Sequence, residues 1–248
     1  MLIQACVNGS RQPHEHRAIP TSADDIATDA ARVVRAGAGA IHVHPRGRNQ
    51  AESLAARDVA AVCTAVRAAC PGLPVGVTTA AWIEPDRARR LDAIAAWNVL
   101  PDFASVNLSE EGAIDVIDLL NELGVGVEAG VWTLDDARLL IDEGLDAACV
   151  RILVEVDAVD VAEEAVALAA AIDCVLDDGL AQSPRLHHGG GEATWAVIEA
   201  AMERGHDVRI GLEDTLYGAD GLLVDSNATL VAQAAELAAR VGRVAERA

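Results

Sequence analysis

Along the chain, short apolar runs rich in β-branched residues alternate with longer stretches in which apolar positions recur every three to four residues. Runs of the first kind fall at 2–7, 39–44, 74–79, 102–107, 124–130, 147–154, 184–188 and 207–212, and they predict strands. Ala- and Leu-rich segments at 22–36, 53–70, 85–97, 112–123, 134–143, 160–178, 191–204 and 226–241 predict helices. Boundary residues agree: Thr21 and Ser22 stand before Asp24 and Asp25, Gly37 follows the first helix, and Ser226 and Gly242 bracket the last. Eight strand-then-helix units in 248 residues predict an α/β protein folded as a (β/α)8 TIM barrel, one domain over 1–248. An open doubly wound sheet would show a Gly-rich turn and a helix after its first strand, whereas Asn8-Gly9-Ser10 leads into a polar loop over 10–21.

Composition narrows the chemistry. Apolar residues make up 52% and aromatics 2%, so the core is built from small side chains. With 39 acidic against 19 basic residues the net charge is −20, a field that repels phosphate backbones and anionic headgroups. Nucleic acid and membrane are therefore excluded as expected partners, and a small-molecule substrate is expected. Every basic residue is Arg, and the absence of Lys removes Schiff-base aldolases, pyridoxal-phosphate enzymes and P-loop NTPases. No secretory leader is recognisable and no run of 18 apolar residues occurs, so a cytoplasmic protein is expected. Five Cys (6, 63, 70, 149, 174) without a C-x-x-C pair predict reduced, mostly buried thiols.

In a barrel of this kind the strand C-termini carry the site. The second strand ends Ile41-His42-Val43-His44-Pro45-Arg46, and residues two apart share a face, so both imidazoles point together. Such a pair either binds a divalent ion such as zinc or makes ordinary strand hydrogen bonds. The last strand supplies Arg209-Ile210-Gly211-Leu212-Glu213-Asp214. Either this Arg and acidic pair form a surface ion pair, or Glu213 completes a His42, His44, Glu213 metal site with Asp214 near it as general base and Arg209 as the partner of Asp214 or of a substrate carboxylate, the reading that the two imidazoles favour. The other strand ends add Asn8, Thr78, Thr79, Ser105, Asn107, Glu128, Arg151, His187 and His188, all able to hydrogen-bond a polar ligand. Glu128, alone in an apolar strand, either meets Arg151 or binds ligand. His187 and His188 precede Gly189-Gly190-Gly191, which is either a phosphate loop or a plain flexible one, and Trp82, Trp132 and Trp195 either wall a pocket or pack.

With these residues in view, the sequence resembles the β-keto acid cleavage enzymes, founded on 3-keto-5-aminohexanoate cleavage. The matching blocks are V-N-G-S, P-T-S-A-D-D-I-A-T-D-A, A-G-A-G-A-I-H-V-H-P-R, V-T-T-A, A-S-V-N-L, G-V-E and G-H-D-V-R-I-G-L-E-D-T-L-Y with G-L-L-V-D-S-N-A-T-L-V, in order over nearly the whole chain. The resemblance implies a TIM barrel holding zinc or a similar divalent cation through His42, His44 and Glu213, with Asp214 as general base paired to Arg209. It puts Thr78 near the substrate, Ser105, Asn107 and Glu128 at substrate-contacting positions, and acetyl-CoA as co-substrate. The implied reaction gives acetoacetate and a new acyl-CoA, and the implied assembly is a homo-oligomer, tetramer or dimer. Near Asn8, where the founding member has an acidic residue, this chain has Arg11, which predicts a neutral or anionic acyl end. The segment before the seventh strand is shorter than usual in the family. A CoA-independent metal hydrolase or class II aldolase is the alternative on the same site.

Overall fold

Ser22 opens the first helix by accepting the Asp25 backbone N–H while the Asp25 carboxylate reaches back to the Ser22 N–H, and Gly37 closes it with its N–H on Val33 O. Thr133 and Asp136 repeat that capping box, and Ser226 caps the last helix through Thr229 N–H. In the computed structural model, which describes residues 1–159 and 161–245, these signals delimit eight helices around eight strands. The strands are β1 Ile3–Cys6, β2 Ala40–Val43, β3 Val75–Thr78, β4 Phe103–Asn107, β5 Gly126–Val131, β6 Arg151–Glu155, β7 Arg185–His188 and β8 Asp207–Ile210. The helices are α1 Ala23–Ala36, α2 Ala56–Ala69, α3 Arg87–Ala95, α4 Ala113–Leu123, α5 Leu134–Asp142, α6 Ala162–Asp178, α7 Thr194–Arg204 and α8 Asn227–Arg240. Asp160, the first residue of the sixth predicted helix, and residues 246–248 lie outside the described residues.

All strands pair in parallel and in sequence order, and β1 pairs β8 (Ile3 with Val208, Gln4 with Arg209), which closes the barrel. The (β/α)8 expectation is thus met. Outward residues such as Ile41, Val43, Val75, Val77, Val127 and Ala129 are fully buried under the helices and form the apolar layer with Ile26, Val33, Val59, Ile117 and Leu140. Inward residues are unusually polar for a barrel. Gln4 Nε2 donates to Glu128 Oε1 at 2.6 Å although β1 and β5 are not neighbours, so this bond crosses the lumen.

Every strand is shorter than its predicted run, and in the sixth and eighth a turn sets the new end. Leu145–Ala148 form a 3-10 turn in place of the start of the sixth, because Asp146 accepts the backbone N–H groups of Gln182 and Ser183 at 2.8 and 3.1 Å. The eighth stops at Ile210, where Asp214 and Thr215 N–H turn back to Gly211 O at 3.0 and 3.1 Å. Among the described residues no helix is long and apolar enough to cross a membrane.

Candidate active site

The turn after β8 swings Glu213 over the mouth of the barrel, where β2 presents His42 and His44 from one face. Glu213 Oε1 lies 3.3 Å from His44 Nε2 and 4.0 Å from His42 Nε2. A zinc-type cation holds such ligands at about 2.0–2.2 Å, which places tetrahedral neighbours about 3.3–3.6 Å apart. The three atoms are thus close to a ligand set. His42 Nδ1 and Glu213 Oε2 are buried without partners in the chain. Glu52, from the loop after β2, binds His44 Nδ1 and so aims Nε2 at Glu213, the arrangement that carboxylates give to metal-bound imidazoles. Burial pushes the His42 imidazole well below its usual range, leaving the neutral form that ligates. Burial pulls His44 the same way, but Glu213 and Glu52 outweigh it and raise the group to about 9. Glu213 is held well below the carboxylate range, because Arg209, His44 and His42 overrule the effect of burial. These residues fit a divalent cation.

Arg209 Nη2 lies 2.5 Å from Glu213 Oε1 and 3.3 Å from Asp214 Oδ1, and its Nε is buried without a partner. Asp214 sits behind it with a fully buried side chain, accepting the Cys6 thiol on Oδ2 at 2.6 Å and lying 3.4 Å from His188 Nδ1 on Oδ1. Burial and the Asp214 charge raise the Cys6 thiol well above its usual range, so it stays a donor. His188 is enclosed by carboxylates: Glu155 is 3.0 Å from Nε2 and Asp157 3.0 Å from Nδ1. The charges of Asp157 and Asp214 and the hydrogen bond to Asp157 overcome burial and lift it well above the imidazole range, making it an imidazolium.

A cavity of about 210 Å³ opens at this mouth. One side is His42, His44, Glu213, Arg209 and Ser10; the remainder is Thr78, Ser105, Asn107, Trp82, Trp132, Glu155 and Asp157. Of the predicted substrate residues, Thr78, Ser105 and Asn107 line it. Asn8, Arg11, Glu128 and Asp214 do not. Asn8 braces β1 to β2, its amide exchanging two 2.9 Å hydrogen bonds with the His44 backbone. Arg11 donates to the Glu213 carbonyl at 3.2 Å and pairs with Glu15, which removes the reason for expecting it to repel a cationic substrate. Glu128 meets Arg151 at 2.9 Å within the lumen, the structural one of its two readings. The three-glycine loop spends an amide on the chain itself, Gly191 N–H donating to Asp214 O at 2.9 Å.

Glu52, Ser10, Glu155 and Asp157 were not among the sequence candidates. Glu155 had a signal, since it shares a face with Arg151 and Leu153, but the predicted strand stopped one residue before it. Glu52 lies in an aperiodic polar loop, and only an isolated bridge between Arg46 and Glu52 folds it onto the site. A further cluster, Asp173, His187 and His206, lies outside the mouth against α6, where Arg185 and Arg204 stand 3.1 and 3.6 Å from the Asp173 carboxylate and disfavour a cation.

The fold and the site define a (β/α)8 protein with a two-histidine, one-carboxylate cluster beside a buried guanidinium at the C-terminal mouth. The profile of the beta-keto acid cleavage enzyme family matches residues 1–247, and the chain belongs to that family. A comparison with curated protein sequences gave no match. Among solved structures it is similar to a ternary complex of ObcA with a C4-CoA adduct and oxalate (TM-score 0.77, 16% identity) and to a binary complex of ObcA with oxaloacetate (TM-score 0.75, 16% identity). In each case 93% of this chain is covered, and it spans 65% of the ObcA chain. A mandelate racemase/muconate lactonizing enzyme from Roseiflexus sp. is more distant (TM-score 0.54, 16% identity, 84% of this chain and 55% of that one).

Proposed function

We propose that the chain is a metal-dependent β-keto acid cleavage enzyme that uses acetyl-CoA, converting a β-keto acid to a new acyl-CoA with release of acetoacetate. The observation that carries this reading is the convergence of His42 Nε2, His44 Nε2 and Glu213 Oε1 in a polar cavity beside Arg209. Family membership supports it, as do the oxaloacetate and CoA-adduct complexes of the structurally similar ObcA. In the exchange the C2–C3 bond of the β-keto acid breaks, its acyl carbon takes the CoA sulfur, and the two-carbon carboxylate fragment joins the acetyl carbon. No oxidant, reductant or water is consumed, and no amine is required, in keeping with a chain that lacks Lys.

Zinc or another divalent cation held by His42, His44 and Glu213 would supply Lewis acidity toward the substrate's carbonyl oxygens. The chain's own groups do the remaining work. Arg209, kept charged by Glu213 and Asp214, offers its free Nε–H to the substrate carboxylate. Thr78 Oγ1 accepts from Ala80 N–H at 3.1 Å, which leaves its own hydrogen to donate into the cavity. Trp82, stacked on His44 with ring centroids 6.4 Å apart and donating to Glu52, covers the metal-side imidazole. Asp214 has no place on the cavity wall, so we assign it a positioning role, fixing Arg209 and His188, in place of direct contact with the reacting carbon.

The test combines metal analysis with acyl-CoA formation. Wild type is expected to hold about one divalent ion per chain at the site and to form acyl-CoA, and His42→Ala with His44→Ala should lose both together. Acyl-CoA formation by the metal-free double variant would refute the reading.

A further inference from the structure

In strand order β6 lies across the barrel from β2, and the wall on that side carries buried polar atoms that nothing in the chain satisfies. Trp132 Nε1 is a donor without an acceptor and Glu155 Oε1 an acceptor without a donor, and both side chains line the cavity. The β5–β6 register pairs Val131 with Val154, which sets Trp132 beside Glu155 one residue on. Two residues before Trp132, on the same face, is Gly130. A Cβ there would lie 2.5 Å from Glu155 Oε1 and 2.8 Å from Asn107 Oδ1, so the missing side chain is what leaves those two acceptor oxygens room. Asn107 is oriented by its amide N–H, which donates to Glu110 at 2.9 Å. The second Glu155 oxygen is 3.0 Å from His188 Nε2, so the carboxylate already has a counter-charge inside the wall.

Buried donors and acceptors are normally paired, and an unpaired set in a binding cavity describes the group that completes it. An aliphatic acyl end would leave Trp132 and Glu155 unsatisfied. An ammonium would satisfy the oxygens but turn a cation toward the indole N–H. A carboxylate would accept from Trp132 but meet Glu155 with like charge and no proton to share. A carboxamide, with two N–H donors and a carbonyl acceptor, satisfies all three atoms, and a hydroxyl, with one donor and two lone pairs, satisfies the two partnerless ones, Trp132 Nε1 and Glu155 Oε1. We propose that Trp132, Glu155 and Asn107 form the subsite for the acyl end of the substrate, selecting a hydroxyl or carboxamide there. This rests on the β-keto acid reading above.

Four β-keto acids test it with metal-loaded protein: 3-oxohexanoate, 5-hydroxy-3-oxohexanoate, 6-amino-3,6-dioxohexanoate (a terminal carboxamide) and 5-amino-3-oxohexanoate. Binding is read by calorimetry and turnover by acyl-CoA formation. The hydroxyl or the carboxamide compound is expected to bind at least about tenfold tighter than 3-oxohexanoate and than the amino compound, because a site built around hydrogen bonds rejects analogues lacking them. Trp132→Phe, which keeps the aromatic bulk, should erase that preference, as should Glu155→Gln if the phenylalanine variant does not fold. Equal or tighter binding of 3-oxohexanoate or of the amino compound would overturn the subsite while leaving the reaction in place. Selective binding of the polar pair with no acyl-CoA from any of the four would uphold the subsite and overturn the reaction. Absence of binding by all four would overturn both.

Discussion

Arg209 is the residue on which most of the site depends, because one guanidinium joins the ligand carboxylate of Glu213 to the enclosed carboxylate of Asp214. Asp214→Asn removes the charge behind it and keeps the shape. That variant is expected to retain its metal and to lose kcat by about 10²-fold or more with KM little changed, on the scale of a lost preorganised electrostatic contact, and to show a shifted pH–rate profile. A kcat within twofold of wild type would contradict the assignment. Glu213→Gln, by contrast, should abolish stoichiometric metal binding, measured by metal analysis after dialysis. At this scale the sequence disclosed what lies on strands and little of what lies on loops. The His42, Val43, His44 spacing sends two imidazoles one way on any strand, and Glu213 follows at the end of another. Side-chain direction was not legible: Arg11, Asn8 and Glu128 are near the mouth in sequence, yet each is committed to a partner within the chain. Glu52 reaches His44 only through the fold of its loop.

At the scale of elements, neighbouring strands and helices share residues that depend on one another's size and charge. A Cβ on Gly76 of β3 would fall 1.9 Å from the Phe103 ring of β4, so Gly76→Ala should cost about 1–3 kcal/mol in denaturant unfolding, the usual range for overpacking. A variant as stable as wild type would show that the Phe103 ring does not fill that space. The seam between α6 and β7 predicts a pH dependence. Asp173 is 3.3 Å from His187 and 3.1 Å from Arg185, and its carboxyl is held below the usual range because hydrogen bonds and charge from His187 and His206 overrule burial. A depressed carboxyl stabilises the fold above the unfolded value near 3.8, and that stability is lost as pH falls below it. His187 is also lowered, chiefly by burial, so the unfolded chain takes up its proton first as pH drops below about 6.5. Both act in one direction. Thermal stability should fall from about pH 6 to pH 3.5, and the gap to Asp173→Asn, about 1–2 kcal/mol at pH 7, should start to close only below about pH 3.8 and vanish well below that, where the folded carboxyl itself takes up a proton. A pH-independent gap between the two would contradict the linkage.

For the whole molecule, the fold was the most legible level, since eight apolar runs alternating with eight capped helical stretches leave few other closed arrangements. What the pattern concealed was the lumen. Periodicity separates inward from outward faces, and the lone Glu128 points to Arg151 as one of its two partners, but neither reveals that Gln4, 124 residues away in sequence, donates to the same Glu128 oxygen across the barrel. The net charge of −20 adds self-repulsion that salt screens, so raising NaCl from 10 to 300 mM should lift Tm by about 2–4 °C, equivalent to ~1 kcal/mol at this size. An unchanged or lower Tm would mean that the many Arg–carboxylate pairs, which salt weakens, contribute more than the repulsion. The central claim is the acyl exchange, and isotope tracing tests it most directly. Metal-analysed protein is incubated with [13C2]acetyl-CoA and a mixture of unlabelled β-keto acids, and CoA esters and acetoacetate are read by mass spectrometry. The account predicts a new unlabelled acyl-CoA together with acetoacetate carrying both labels at C3 and C4. Unlabelled acetoacetate, or no new acyl-CoA from folded and metal-loaded protein, would contradict it.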